Sequence, residues 1–156
     1  MQSYYQASRN TQIDQPELIG DHDADVCVIG GGYTGLSTAL YLANEGVSVF
    51  LIESNQIASG ASGANGGQVS GGMRRDQFYL EKALGVDYAK VLWGIGEKSK
   101  YHAKELIDKY QIQCDYKKGI AHPNHKQKYC EESKQYVDHM IKNYDYKDMV
   151  YLSDDE

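Results

Sequence analysis

The feature that most constrains the fold of this chain is a glycine-rich hexapeptide between two short apolar runs. Val26–Ile29 is a β-branched run, and Gly30-Gly31-Gly32-Tyr33-Thr34-Gly35 follows it directly. Apolar residues then recur at helical spacing from Leu36 to Ala43, and Gly46 supplies a stop signal. Val47–Ile52 is the second apolar run. This order predicts a right-handed βαβ unit with parallel strands, the first of them buried on both faces.

The glycines have the G-x-G-x-x-G spacing that dinucleotide-binding folds place between a strand and a helix. Gly30 would make the tight turn, Gly32 would let the backbone approach a diphosphate, and Gly35 would let the helix pack closely on the strand. The N-terminus of that helix offers unpaired amides and a positive dipole end to phosphate groups. The pattern predicts a Rossmann-like nucleotide site.

An acidic residue ends the second apolar run. Glu53 lies 18 residues after Gly35, where a carboxylate can accept hydrogen bonds from the ribose hydroxyls of an adenosine. Its negative charge argues against a 2′-phosphate, and hence against NADP. Because NAD and FAD carry the same ADP half, these residues alone leave both cofactors open.

A second glycine-rich stretch, Ser59–Gly72, follows this unit directly. One interpretation is a flexible linker. The other is a loop that contacts a ligand, because glycine lets the backbone approach closely and Asn65 and Gln68 offer polar contacts. We favour the second interpretation.

The two glycine-rich segments together resemble the FAD-dependent glycine/D-amino-acid oxidase superfamily, the DAO family. The resemblance rests on Val26–Ser37 and Gly60–Gln68. Three further segments, Ser3-Tyr4-Tyr5, Ile112–Gly119 and Tyr144-Asp145-Tyr146, are similar to its bacterial gamma-glutamylputrescine oxidase branch. The chain departs from the family pattern at Ala64, where arginine is frequent, and so lacks a cation on the phosphate side.

The resemblance implies FAD as the cofactor, with an amine and oxygen as substrates. In this family the flavin takes a hydride from the carbon bearing the amine, the imine hydrolyses to an aldehyde and ammonia, and oxygen reoxidises the flavin to give hydrogen peroxide. The residues that the resemblance assigns to FAD binding are Gly30, Gly31, Gly32, Tyr33, Thr34, Gly35, Glu53, Ser54, Ala61, Ser62, Gly63, Asn65, Gly66, Gly67 and Gln68. No catalytic residue is assigned, because the substrate pocket of the family is expected beyond Glu156.

Three alternatives stay open. One is a sarcosine, glycine or D-amino-acid oxidase or dehydrogenase of the same superfamily. Another is a nucleotide-binding module without catalysis. The third, an NAD-dependent dehydrogenase, is less favoured because Gly60–Gly67 has no role there.

We divide the chain into a polar leader (1–24), a FAD-binding unit with its glycine-rich loop (25–72) and a mostly helical segment (73–156). This predicts an α/β architecture, and the resemblance implies that the chain is the incomplete N-terminal part of a two-domain flavoenzyme. In the last segment the patterns predict helices at 76–84, 87–110 and 126–143, with Asp87 as N-cap of the second, a β-hairpin from 112–116 and 120–122, and a strand at 149–152. Ser153 and Glu156 have the spacing of a capping box, which normally opens a helix and so predicts truncation.

Composition excludes several other classes of protein. With 16 Lys and Arg against 22 Asp and Glu, the net charge is -6 and no basic run is present, so neither nucleic acid nor a membrane surface is an expected partner. The chain shows no signal peptide or membrane span, and three cysteines at unrelated spacings fit the cytoplasm. No metal is expected, because Cys114, His122, His125 and Cys130 match no common zinc spacing. Arg74-Arg75 is interpreted as a solvated turn.

Overall fold

The computed structural model describes residues 4–10 and 15–152. In chain order its elements are α1 (Tyr4–Ser8), β1 (Val26–Ile29), α2 (Tyr33–Asn44), β2 (Val49–Ile52), α3 (Gln77–Leu84), α4 (Val86–Lys109) and α5 (Gln127–Tyr144), with a 3-10 turn at Ala61–Gly63. They form two compact units. The first comprises Met1–Gln68 and Ile107–Tyr116, and the second comprises Val69–Leu106 and Lys117–Glu156.

The first unit is built on the βαβ motif. β1 and β2 pair in parallel with Val26 opposite Val49 and Ile29 opposite Ile52, and α2 connects them. Beyond the last paired residues, the Gly30 N–H donates to the Ile52 carbonyl over 2.8 Å. The parallel strand–helix–strand prediction is therefore confirmed.

The prediction that β1 is buried on both faces is wrong. Its residues alternate between half-buried and exposed, and Ile29 is 83% exposed. The described sheet has only two strands, and α2 is the described helix that packs substantially on it. A strand with one covered face shows this period-two alternation of burial. The continuous apolar sequence of β1 is instead typical of a strand that is covered on both faces.

The second unit joins α3 and α4 through a single glycine. Asp76 is the N-cap of α3, because its Oδ1 accepts the Tyr79 N–H over 2.8 Å. Gly85 then turns the chain with φ +85°, and its carbonyl accepts the Ala89 N–H over 3.1 Å. Asp87 is therefore not the N-cap of α4. It lies in the first turn, where its charge still favours the positive end of the helix.

Two small residues let the end of the second glycine-rich stretch lie against α4. A Cβ on Gly96 would stand 2.5 Å from the backbone N and O of Gly72, and one on Gly72 would stand 2.8 Å from the Trp93 ring. Nearby, Gln77 is 1% exposed and its Nε2 donates to the Ala89 carbonyl over 3.0 Å. Within the second unit this part of the stretch is thus packed, which a flexible linker would not be.

Two predicted strand regions are not strands. Residues 112–116 and 120–122 lie in irregular structure and belong to different compact units, so they do not form a hairpin. The backbone bonds of this stretch are local, as in Ile112 N–H to the Ile107 carbonyl at 2.9 Å, and Asp115 has φ +52°. Residues 149–152 are likewise irregular, and Lys134 Nζ lies 4.6 Å from the Tyr151 ring centroid. The predicted capping box at 153–156 lies outside the described residues.

The described part of the chain contains no helix that is both long and apolar enough to cross a membrane. It also holds no group of three or more His, Cys, Asp or Glu side chains that could bind a metal ion. Cys27, Cys114 and Cys130 are free thiols.

A carboxylate links α3 to α5 within the second unit. One oxygen of Glu81, Oε1, accepts the Tyr144 hydroxyl over 2.7 Å and pairs with His139 Nε2 at 2.8 Å. Burial raises the pKa of Glu81, but the bonds from Tyr144 and His139 outweigh it and hold the pKa below its ordinary value. Because this pKa is lowered by folding, the stabilisation is present above the unfolded-state pKa and is lost as pH falls through the folded-state value.

We expect Glu81→Gln to lower the free energy of unfolding by about 1–2 kcal/mol near neutral pH, since hydrogen bonds to a charged group are among the stronger ones. The difference from wild type should shrink at an acidic pH below the lowered pKa of Glu81, where the wild-type carboxyl is itself protonated. Urea unfolding at both pH values measures this. Glu132→Gln removes an exposed carboxylate on α5, paired with Lys128 at 3.5 Å, and should stay within about 0.5 kcal/mol of wild type. An equal effect of Glu81→Gln at both pH values would contradict the assignment.

Candidate nucleotide-binding site

The glycine turn brings the start of α2 to the carboxyl end of β1. Gly30 has φ +102°, a conformation that favours glycine, and Gly32 precedes the helix in an extended conformation. A Cβ on Gly35 would collide with the Gly30 carbonyl oxygen. Only glycine at position 35 lets α2 lie this close to the turn, with its first amides directed away from intrahelical partners.

Glu53 lies beside the turn at the end of β2. Its Oε2 accepts the Gly31 N–H over 2.7 Å, and its Oε1 accepts the Asn55 N–H over 2.9 Å and the Ser54 hydroxyl over 3.3 Å. The backbone bonds from Gly31 and Asn55 hold the pKa of Glu53 below its ordinary value. The side chain is therefore an anion next to the backbone of the turn, with accepting capacity left for ribose hydroxyls.

The second glycine-rich segment returns to the same place. The Ala58 N–H donates to the Gly31 carbonyl over 2.9 Å, and Ser62 Oγ accepts the N–H of Tyr33 over 3.0 Å. A Cβ on Gly63 would collide with the Ala58 carbonyl oxygen, and one on Gly32 would lie 2.8 Å from Ser62 Oγ. Up to Gly67 the segment is thus held against the glycine turn, which favours the ligand-loop interpretation over the linker.

A cleft of about 240 Å³ lies between the turn, the carboxylate and the second segment. Its lining residues are Gly32, Glu53, Asn55, Ala58, Ser59, Gly60, Ala61 and Ser62. Four of these, Asn55, Ala58, Ser59 and Gly60, are absent from the sequence-based set. Little in the sequence indicated these four residues. Ala58, for example, has φ +58°, a backbone conformation that only the structure reveals.

The remaining predicted residues do not line this cleft. Asn65 bonds to Tyr33 and Ser62, and the Gly67 N–H donates to Asn65 Oδ1 over 2.8 Å. A Cβ on Gly66 would collide with Gln68 Oε1. The residues predicted to bind FAD but outside the cleft lining are Gly30, Gly31, Tyr33, Thr34, Gly35, Ser54, Gly63, Asn65, Gly66, Gly67 and Gln68. Contact of each with a cofactor stays a prediction.

Comparison with known proteins identifies the family. The model of the FAD dependent oxidoreductases, DAO, matches residues 25–156. The chain belongs to this family. The match begins just before β1 and so includes the whole site described above.

The curated relatives that this chain matches are longer proteins. It is 44% identical over 117 residues to the gamma-glutamylputrescine oxidoreductase of Escherichia coli, which covers 75% of this chain and 28% of that protein. It is 43% identical over 121 residues to the "Probable oxidoreductase OrdL" of Haemophilus influenzae, covering 78% and 28% respectively. Over 103 residues it is 42% identical to the mitochondrial glycerol-3-phosphate dehydrogenase of Saccharomyces cerevisiae, covering 66% and 15%. The chain thus spans less than a third of the length of these relatives. No solved structure matches it significantly.

The residues present fit the ADP half of the FAD that this family uses. Gly32 has no side chain and lines the cleft, so its backbone is accessible where a diphosphate would approach. The Glu53 carboxylate is ionised and offers acceptors suited to ribose hydroxyls. Arg75 belongs to the second unit, where its guanidinium lies 5.1 Å from the Tyr79 ring centroid.

Proposed function

We propose that this chain provides the FAD-binding part of an oxidoreductase that oxidises the CH–NH2 group of an amine resembling gamma-glutamylputrescine. The products would be an aldehyde, ammonia and hydrogen peroxide, with oxygen as the second substrate. Bound FAD would supply the acceptor for the two electrons removed from the amine. The proposal for the substrate is supported by the similarity to the E. coli gamma-glutamylputrescine oxidoreductase.

One observation of the structure supports the FAD-binding role above all others. The Gly31 N–H donates to the Glu53 carboxylate over 2.7 Å, and Gly32 of the same turn lines one cleft with Glu53. In our proposal Gly32 and the amides of α2 that follow Tyr33 bind the diphosphate, and Glu53 binds the ribose hydroxyls. Ser62 holds the second glycine-rich segment at the start of α2 by accepting the Tyr33 N–H.

The test uses the purified protein that contains this chain, reconstituted with FAD. Under anaerobic conditions, addition of gamma-glutamylputrescine should bleach the flavin absorbance near 450 nm, and admission of air should restore it with release of one hydrogen peroxide per aldehyde. Retained colour with this amine, together with bleaching by another substrate, would overturn the proposed substrate. Failure to bind FAD at all would overturn the proposed function.

A second candidate is a dehydrogenase of the same family. The 42% identity to a glycerol-3-phosphate dehydrogenase shows that this part of the chain is shared by proteins named for different substrates. The same bleaching assay with glycerol 3-phosphate, sarcosine and D-amino acids distinguishes these substrates. Reoxidation by an artificial electron acceptor, but not by oxygen, would indicate a dehydrogenase instead of an oxidase.

A further inference from the structure

The loop between Gly60 and Gly67 has little apolar material to hold it in place. It contains four glycines, two alanines, one serine and one asparagine. Glycine loses more backbone freedom on folding than any other residue, so ordering this loop is entropically unfavourable. Without large side chains to bury, the loop depends on polar contacts for a defined conformation.

The side chain of Asn65 makes three of these contacts. Its Nδ2 donates to the Ser62 carbonyl over 2.7 Å and to the Tyr33 hydroxyl over 3.2 Å. Its Oδ1 accepts the Gly67 N–H over 2.8 Å. Both donor hydrogens of the amide and one acceptor site are therefore in use within the protein.

Tyr33 is the other end of this connection. It is the first residue of α2, its N–H donates to Ser62 Oγ over 3.0 Å, and its hydroxyl is bonded to Asn65. The loop is thus tied to the start of α2 twice, once through a backbone amide and once through a phenol. Gly32 and Ser62 both line the cleft, so these two ties hold neighbouring parts of its wall in place.

We infer that Asn65 is a positioning residue. It holds the 60–67 loop against the start of α2 through the Tyr33 hydroxyl, so that the cleft is formed before a cofactor enters it. The identity of that cofactor as FAD rests on the proposed function. Asn65 and Tyr33 then change the affinity for FAD by ordering the loop, whereas the resemblance assigned both to FAD binding.

The test is a double-mutant cycle on the apo form of the protein that contains this chain, read by quenching of FAD fluorescence. Asn65→Ala should weaken FAD binding about tenfold and Tyr33→Phe about threefold. A loop that is no longer ordered in the apo protein must be ordered when FAD binds, and this lowers the affinity. The double variant should bind as Asn65→Ala does, since the phenol has no partner once Asn65 is removed. Tyr41→Phe is the matched control, because Tyr41 is a 66% exposed tyrosine on the same helix. Its FAD affinity should equal that of wild type.

Amide hydrogen exchange without FAD gives an independent readout. Asn65→Ala should accelerate exchange across residues 61–67 and leave α4 and α5 unchanged, with no change in the melting temperature. If the effect of Tyr33→Phe persists in the Asn65→Ala background, Tyr33 contacts the cofactor directly and the inference fails. It also fails if loop exchange is unaltered or if wild type and Asn65→Ala bind FAD equally. A wild-type protein that binds no FAD instead overturns the proposed function, and with it any role of Asn65 toward FAD.

Discussion

Replacing Gly35 by alanine is expected to destabilise the first unit by about 1–3 kcal/mol and to abolish measurable FAD binding. The added Cβ would collide with the Gly30 carbonyl oxygen and lie 3.4 Å from Val28 Cγ1. To relieve the collision α2 must move away from β1, which displaces the helix start from the cleft. Thermal unfolding and FAD titration of the purified variant measure the two effects.

Gly94→Ala is the matched control for this substitution. Gly94 is also inside a helix, but a Cβ there would have nothing within 4 Å. Helix propensity alone predicts that alanine at either position stabilises by about 0.5–1 kcal/mol. Gly94→Ala should therefore raise the melting temperature. If Gly35→Ala does the same and still binds FAD, the close contact between α2 and the turn is not required.

Glu53→Gln is expected to weaken FAD binding by about tenfold or more while preserving the fold. The amide keeps the shape of the carboxylate but replaces charge-assisted hydrogen bonds to Gly31 and the ribose with weaker neutral ones. It also introduces a donor where Asn55 N–H and Ser54 require an acceptor. Titration of the apo protein with FAD measures the loss, and circular dichroism checks the fold.

The pH dependence gives Glu53 a second test. Since the pKa of Glu53 is lowered in the folded protein, its contribution should be constant from about pH 8 to pH 5 and decline only as pH falls below the ordinary carboxyl value of about 4.3. Glu45→Gln, an exposed acid just after α2, removes the same charge and should leave FAD affinity unchanged. Equal losses in the two variants would show that only net charge matters.

The βαβ unit could be predicted from the sequence because its signals are local. An apolar β-branched run, a glycine turn and a helical pattern each determine a short segment, and chirality and strand pairing leave few ways to connect them. The helices of the second half were predicted to within about one residue at their ends, again from local periodicity.

The wrong predictions concern features that depend on residues distant in the sequence. Nothing local distinguishes residues 112–122 from a hairpin, yet the two halves belong to different compact units. The start of α4 was misplaced because Gly85 provides the first carbonyl of the helix in place of Asp87. One face of β1 is exposed because the described chain places only one other strand and one helix against it. The pattern of apolar residues within a strand does not reveal how many strands and helices surround it.

For the candidate site the division is similar. The sequence by itself determined the family-defining turn, the acid at residue 53 and the glycine-rich nature of the loop, since spacing along the chain is enough to specify them. Only the tertiary structure decided that Ala58 bonds to Gly31, that Ser62 caps the start of α2, and that Asn65 ties the loop to Tyr33. These contacts join residues from 27 to 32 positions apart, and their partners become neighbours only when the chain after β2 folds back onto the turn.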